Sequence, residues 1–291
     1  LSAGTWCYDS QDPKCGPTHW KEMAPACGGP AQSPINIDLH LVQQDPALGP
    51  FIFQGYHSAP PGPWTLENDG HTVLLRMDTD PQSRLEIRGA GLPLPAYRAL
   101  QLHFHWGGPG RAGSEHSVDG QRYPMEMHVV HMNTRYQSIE EARSHPDGLA
   151  VLAVLLAVSK GPCDSRQWGR TRGAPQPAEL RTIIADAVPI GRAQEGTPPL
   201  PLLPPSRRPG APDFTVSALS PQVAQFQTVP RAGLPGSRPA PLTDNFRPQQ
   251  PLGGRRVSAS PGASIRAAAS APAPHLAPVR GALLGLGLRL W

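Results

Sequence analysis

Six short runs between residues 35 and 158 constrain this chain more than any other feature. Each alternates apolar and polar residues, or is apolar throughout, over a length suited to a β-strand. They cover residues 35–41 (INIDLHL), 71–77 (HTVLLRM), 84–89 (RLEIRG), 100–106 (LQLHFHW), 125–133 (MEMHVVHMN) and 149–158 (LAVLAVLLAV). Turn residues separate them, among them Asn68, Asp69 and Gly70, and the glycine-rich stretch 107–113. Residues 138–145 (SIEEARSH) predict the one clear helix, with Ser138 as N-cap and Glu141 as its capping-box partner. The expected class is mainly β (α+β): a single domain around a large, mostly antiparallel twisted sheet with few short helices.

After Lys160 the pattern stops. Residues 160–213 are crowded with prolines, which remove ladder donors and break helices, so the region 160–222 is expected to be irregular. Order is expected again in a short helix over 220–229 and over 242–257. Charge divides at the same place: residues 1–159 hold 10 Lys and Arg against 16 Asp and Glu, whereas residues 160–291 hold 16 against 6. Fifteen of those 16 bases are arginines, scattered singly or in pairs with few aromatics among them. That gives neither a stacking platform nor a basic helical stripe, so nucleic acid is not an expected partner.

The cysteines Cys7, Cys15, Cys27 and Cys163 form no C-x-x-C pair, which argues against a zinc ribbon or a thioredoxin-like motif. Four cysteines suit two disulfides in an extracellular protein: Cys7 with Cys15 across a short loop, and Cys27 with Cys163. A first residue Leu1 rather than Met fits a processed or a fragmentary N-terminus. Residues 281–291 (GALLGLGLRLW) are apolar but too short to span a bilayer; after the small-residue stretch 258–274 they read either as a lipid-anchor (GPI) signal, which Arg280 and Arg289 weaken, or as a frayed C-terminus. The expected organisation is a domain over 5–260 and a tail over 261–291. The protein would sit outside the plasma membrane on that anchor, or be secreted, with no protein partner.

Alternation also organises the histidines. His103 and His105 project to one side of their strand and Phe104 to the other. Within 125–133, Glu126, His128 and Val130 share a face and His131 takes the opposite one, so His128 is the third candidate ligand and His131 a structural residue. The residues between His105 and His128 suffice for a turn and a return strand. Three imidazoles with an open fourth position favour Zn²⁺. Gln101 and Glu126, each two residues before a ligand, are placed to accept that ligand's other N–H. The iron facial triad of cupin barrels would instead need a glutamate three or four residues after the second histidine, where Gly108 and Pro109 stand.

Residues 114–133 (SEHSVDGQRYPMEMHVVHMN) resemble the α-carbonic anhydrase signature in their Ser-Glu-His opening, Tyr123 and Glu-x-His ending. Residues 32–37 (QSPINI), 68–73 (NDGHTV), 100–107, 147–154 (DGLAVLAV) and 244–255 (DNFRPQQPLGGR) are similar to the same family in the same order. The resemblance covers residues 6–158 closely and about 223–260 moderately; the cysteines, arginine-rich end and apolar tail are most like the lipid-anchored extracellular branch. It implies the family's fold and a zinc enzyme interconverting CO₂ and bicarbonate, with His103, His105 and His128 as ligands. It further implies His71 as proton shuttle, Val130 and Val151 as the apolar wall where CO₂ lies, and Asn245 as a support of the ligand shell. Glu115 matches the carboxylate that orients a gatekeeping threonine.

That threonine is where the chain departs from the family. The family's Thr-Thr-Pro run, followed by a cysteine and a tryptophan, is absent from residues 160–213; Thr197 before Pro198 is the nearest counterpart. Cys163 also stands too early to be the family's usual partner of Cys27. Three outcomes stay open: a working extracellular carbonic anhydrase, whether or not slowed by the missing loop, a zinc-binding relative without activity acting as an extracellular binding module, and a product that does not fold.

Overall fold

The computed structural model describes residues 6–56, 65–77, 85–159, 215–219, 226 and 241–261. Eight strands form the main sheet: β1 (Phe51–Gln54), β2 (Thr65–Asn68), β3 (Val73–Arg76), β4 (Glu86–Gly89), β5 (Tyr97–Trp106), β6 (Met125–Asn133), β7 (Leu149–Ser159) and β8 (Thr215–Leu219). Their order is β8-β7-β6-β5-β3-β2, with β4 pairing both β5 and β1. Only the β7–β8 pair is parallel. The expected mainly antiparallel sheet is therefore present.

Period-two patterning makes β5, β6 and β7 the centre of this sheet. Leu102, Phe104 and Trp106, with Met125, Met127 and Val129 and with Leu152, Val154 and Leu156, enter one continuous core. Each side chain of this size contributes about 1.5–3 kcal/mol on burial. The opposite face of the same strands carries the polar set, in a register that places His103 beside His128, His105 beside Glu126, and Gln101 beside Val130. The ladder shifts between Val130 and His131.

Several expected elements are shorter than their pattern. In the run 35–41 only Asn36–Ile37 pairs, in parallel with Ser117–Val118, because Asp38 closes a turn by accepting from His40 N and, through its carbonyl, from Leu41 N. Ile35, Ile37 and Leu39 nevertheless bury together with Val118, Leu155 and Val257, so the alternation encoded burial rather than a ladder. The helix shrinks to one turn, α2 (Ile139–Ala142), capped by Ser138 Oγ accepting from Glu141 N at 3.1 Å. Glu141 reaches back to Gln137 N rather than to the cap residue. The N-terminal arm, residues 6–34, holds another single turn, α1 (Trp20–Met23).

The Cys7–Cys15 disulfide is formed. Cys27 is half-buried and has no disulfide partner among the described residues; its expected partner Cys163 lies outside them, as do Thr197, the stretch 160–214 and the tail beyond residue 261. Of the predicted helix 220–229 only Phe226 is described; it packs in the core against Phe104 and Trp106, with ring centroids 4.8 and 5.3 Å away. No helix among the described residues is long and apolar enough to cross a membrane.

His131 lies on the core side, as its place in the strand requires. Its Nδ1 donates to Val129 O at 3.0 Å and its Nε2 meets the Tyr56 hydroxyl. Burial pushes its pKa down to about 4, against the opposing hydrogen bonds to the Val129 and Ala150 backbone. Unfolded chain therefore takes up a proton that the folded chain refuses as pH drops from about 6.5 to 4. This stabilisation is full above that window and is lost within it, amounting to about 3 kcal/mol. Urea midpoints measured at pH 7.5 and 4.5 should show His131→Gln losing most of that share of the acid sensitivity.

Candidate metal centre

Three ring nitrogens converge on the polar face of β5 and β6. His105 Nε2 lies 3.2 Å from His128 Nδ1, which lies 3.3 Å from His103 Nε2. The outward nitrogen of every ring meets an acceptor. His103 Nδ1 donates to Gln101 Oε1 at 2.9 Å, His105 Nδ1 to the Asn245 carbonyl at 2.8 Å, and His128 Nε2 to Glu126 Oε1 at 2.7 Å. Those acceptors fix the tautomers, leaving three inward lone pairs aimed at one another. Unscreened lone pairs at this distance repel, and a cation between them turns the repulsion into ligation. Tetrahedral nitrogen donors at about 2.05 Å from a zinc ion are about 3.3 Å apart, which is the spacing found.

Burial shapes the electrostatics. It pushes the His103 pKa well below its usual value, aided by the neighbouring His105 and His128, and it lowers His105 as well. His128 runs the other way: burial alone would lower it, but the Glu126 carboxylate holds it up. Glu126 is fully buried, which disfavours its charge, yet His116 and His128 together keep it well below the usual carboxylate range.

The C-terminal segment 241–261 completes the site. Asn245 is fully buried; its Oδ1 accepts from Trp106 N at 2.8 Å, and its Nδ2 donates to the carbonyls of His71 and Phe104, both at 3.0 Å. Glu115 Oε1 accepts from Arg247 N at 2.9 Å, and its Oε2 lies 3.6 Å from His105 Nε2. The Arg247 guanidinium ties the arm to this floor by donating to the carbonyls of Cys27 and Ser33. A cavity of about 520 Å³ opens over the three histidines, lined by Val130, Val151 and Ala153 from the sheet and by Trp6, Tyr8, Trp20 and Met23 from the arm. Val130 and Val151 are direct partners across β6 and β7.

His71 occupies the β2–β3 turn, where Asp69 Oδ1 accepts from its backbone N and Gly70 takes a left-handed φ of 84° that glycine adopts without strain. It stands one ring back from the cavity, stacked on Trp6 at 3.9 Å between centroids, with Nε2 2.9 Å from the Trp6 carbonyl.

A family model for eukaryotic-type carbonic anhydrase matches residues 15–167. The chain belongs to the eukaryotic-type carbonic anhydrase family. Carbonic anhydrase 15 of Mus musculus is 56% identical over 304 residues, spanning 100% of this chain and 93% of that protein. Carbonic anhydrase 3 of Bos taurus is 32% identical over 283 residues, 89% and 99% of the two chains. Carbonic anhydrase 6 of Bos taurus is 44% identical over 142 residues, 48% and 42% of the two. Members of this family are zinc enzymes, and the histidine cluster here fits that ion in donor type, number and spacing. The family match ends close to where the strand pattern stops.

Sequence reasoning missed three contributors. His116 donates from Nδ1 to the same Glu126 oxygen that serves His128. Arg247 and the aromatic residues of the arm reach the cavity only through long-range folding, and no local pattern announces them.

Proposed function

We propose that this chain is a zinc carbonic anhydrase, reversibly hydrating CO₂ to bicarbonate and a proton at the floor of the cavity. The observation that carries the reading is the set of three inward-facing imidazole lone pairs, each fixed by an acceptor behind its ring. His103, His105 and His128 would hold Zn²⁺. A zinc ion there supplies hydroxide at neutral pH by lowering the pKa of water to about 7, a general property of carbonic anhydrases rather than a result of this geometry.

The remaining chemistry belongs to the chain itself. Val130, Val151 and Ala153 give CO₂ an apolar surface from which water gains little by competing. Gln101, Glu126 and the Asn245 carbonyl keep the rings in one tautomer and orientation. His71, with Nε2 donating to the Trp6 carbonyl, has its other ring nitrogen as the proton acceptor for the step out to solvent. The Cys7–Cys15 disulfide supports an extracellular or secreted location; the lipid anchor is part of the same reading and rests on residues 258–291.

Turnover is expected to be low. Glu115 is held by Arg247 N, but the Thr-Thr-Pro run that would join it to the reacting oxygen is absent from the sequence. Positioning by one preorganised hydrogen bond is commonly worth about 10²-fold in rate. Replacing residues 160–213 by the family's Thr-Thr-Pro segment should raise CO₂ hydration in stopped flow by about that factor. His71→Ala in the unaltered chain should change turnover by less than about twofold, because proton transfer would not limit it. Equal rates for the grafted and original chains would remove the loop from the account.

A further inference from the structure

The arm grips the β2–β3 turn through one side chain. Gln11 donates from Nε2 to the Gly70 carbonyl at 2.9 Å, across 59 positions of sequence, and its Oε1 accepts from Tyr8 N at 3.0 Å. Both partners are main-chain groups, one needing a donor and the other an acceptor, so the amide fits only one way round. Gln11 N donates to Tyr8 O at 2.9 Å and Cys7 N to Cys15 O at 2.9 Å, inside the loop that the Cys7–Cys15 disulfide closes.

Four main-chain groups set where His71 stands. Gly70 N donates to Asn68 Oδ1 and His71 N to Asp69 Oδ1, both within the turn, and the His71 carbonyl accepts from Asn245 Nδ2. The fourth, the Gly70 carbonyl, is the one the arm holds. It shares a rigid peptide plane with His71 N, so Gln11 and Asp69 pin that plane at its two ends. The His71 ring meets the same arm again, stacked on Trp6 and donating from Nε2 to the Trp6 carbonyl. Trp6 immediately precedes the closed loop, which ties the backbone and the ring of His71 to one piece of chain. A solvent-facing side chain held by neither would change rotamer within nanoseconds.

We infer that Gln11 is a positioning residue for proton transfer: it fastens the disulfide loop to the β2–β3 turn, keeping the Trp6 carbonyl within reach of His71 Nε2 and leaving Nδ1 as the acceptor. This inference rests on the reading of His71 as the proton shuttle. Without the Gln11 bond, ring and carbonyl no longer share a fixed frame, and the imidazole exchanges its proton between its two nitrogens.

The first measurement uses the full zinc-free chain with isotopically labelled nitrogen, in which nitrogen–proton correlations at alkaline pH report which nitrogen of His71 carries the proton. In the unaltered chain the ratio of Nε2–H to Nδ1–H forms should be about tenfold above that of free histidine, the bias that one ordinary hydrogen bond supports. Gln11→Ala should return the ratio to within about twofold of free histidine and remove the upfield shift that stacking on Trp6 gives the ring protons. Gln11→Glu separates the two halves of the contact, since its carboxylate still accepts from Tyr8 N but cannot donate to Gly70 O. It should behave as Gln11→Ala does. In the zinc-loaded chain, oxygen-isotope exchange between CO₂ and water reads proton delivery as the release of labelled water, and both variants should slow that release about fivefold. A ratio in the unaltered chain no higher than that of free histidine, or one kept in Gln11→Glu, would overturn the inference. So would labelled-water release that His71→Ala slows but neither Gln11 variant does. Release indifferent to His71→Ala would instead strike the shuttle reading beneath it.

Discussion

His128→Ala should lose stoichiometric zinc, while His131→Ala, three residues along the same strand, should keep it. Both histidines are buried on β6, and composition alone does not tell them apart. Strand alternation does: His128 faces His103 across the β5–β6 ladder with its Nδ1 among the other ring nitrogens, whereas His131 is bonded to Val129 and Tyr56 on the core side. Removing His128 leaves two imidazoles, too few to hold zinc against solvent and chelators. The loss should exceed the 10- to 100-fold seen when only an outer partner is removed. It should also leave Glu126 buried with one donor fewer, so some loss of stability will accompany it. Metal analysis after gel filtration reads the outcome directly. Full zinc in His128→Ala together with loss in His131→Ala would mean that the strand faces are assigned the wrong way round.

Asn245→Ala is expected to give the largest loss of stability among the site variants. The side chain bridges three backbone groups from one strand, β5, and the β2–β3 turn: Trp106 N, Phe104 O and His71 O. Phe104 O keeps a second partner in Thr72 Oγ1, so truncation orphans chiefly the Trp106 N–H and the His71 carbonyl. Each buried group left unpaired costs about 1–3 kcal/mol, and a total near 3 kcal/mol is expected from urea unfolding. Because the Asn245 backbone carbonyl also accepts from His105 Nδ1, the same variant should loosen zinc about tenfold as the segment shifts. A change below about 1 kcal/mol, the level of an ordinary surface substitution, would show that the C-terminal segment is held by its other contacts.

The parts of this site that were legible in the sequence are those governed by local periodicity. His103, His105, Gln101, Glu126, His128 and Val130 all lie on two long strands, and period-two alternation sets their facing before any tertiary contact is known. The separate role of His131 follows from the same count. Val151 belongs with them once β7 pairs with β6. Some of the shortest features were not legible, because two to four positions carry too little of a period to detect: α1, the Ser117–Val118 pair and the loss of the ladder after Asp38 are of this kind. His116 was hidden for another reason, since its partner is ten positions away across a turn and the geometry that joins them is not periodic. The resemblance to the family supplied Asn245, Glu115 and His71, which periodicity alone would have left as loop residues.

Three histidines holding one zinc ion should suffice for CO₂ hydration. Titrating zinc into the metal-free chain, with stopped-flow CO₂ hydration measured at each addition, tests both halves in one experiment. Activity should exceed the uncatalysed rate, rise linearly and break at one zinc per chain. Hydration that stays at the uncatalysed rate at full occupancy, or that rises with no break at one equivalent, would contradict it.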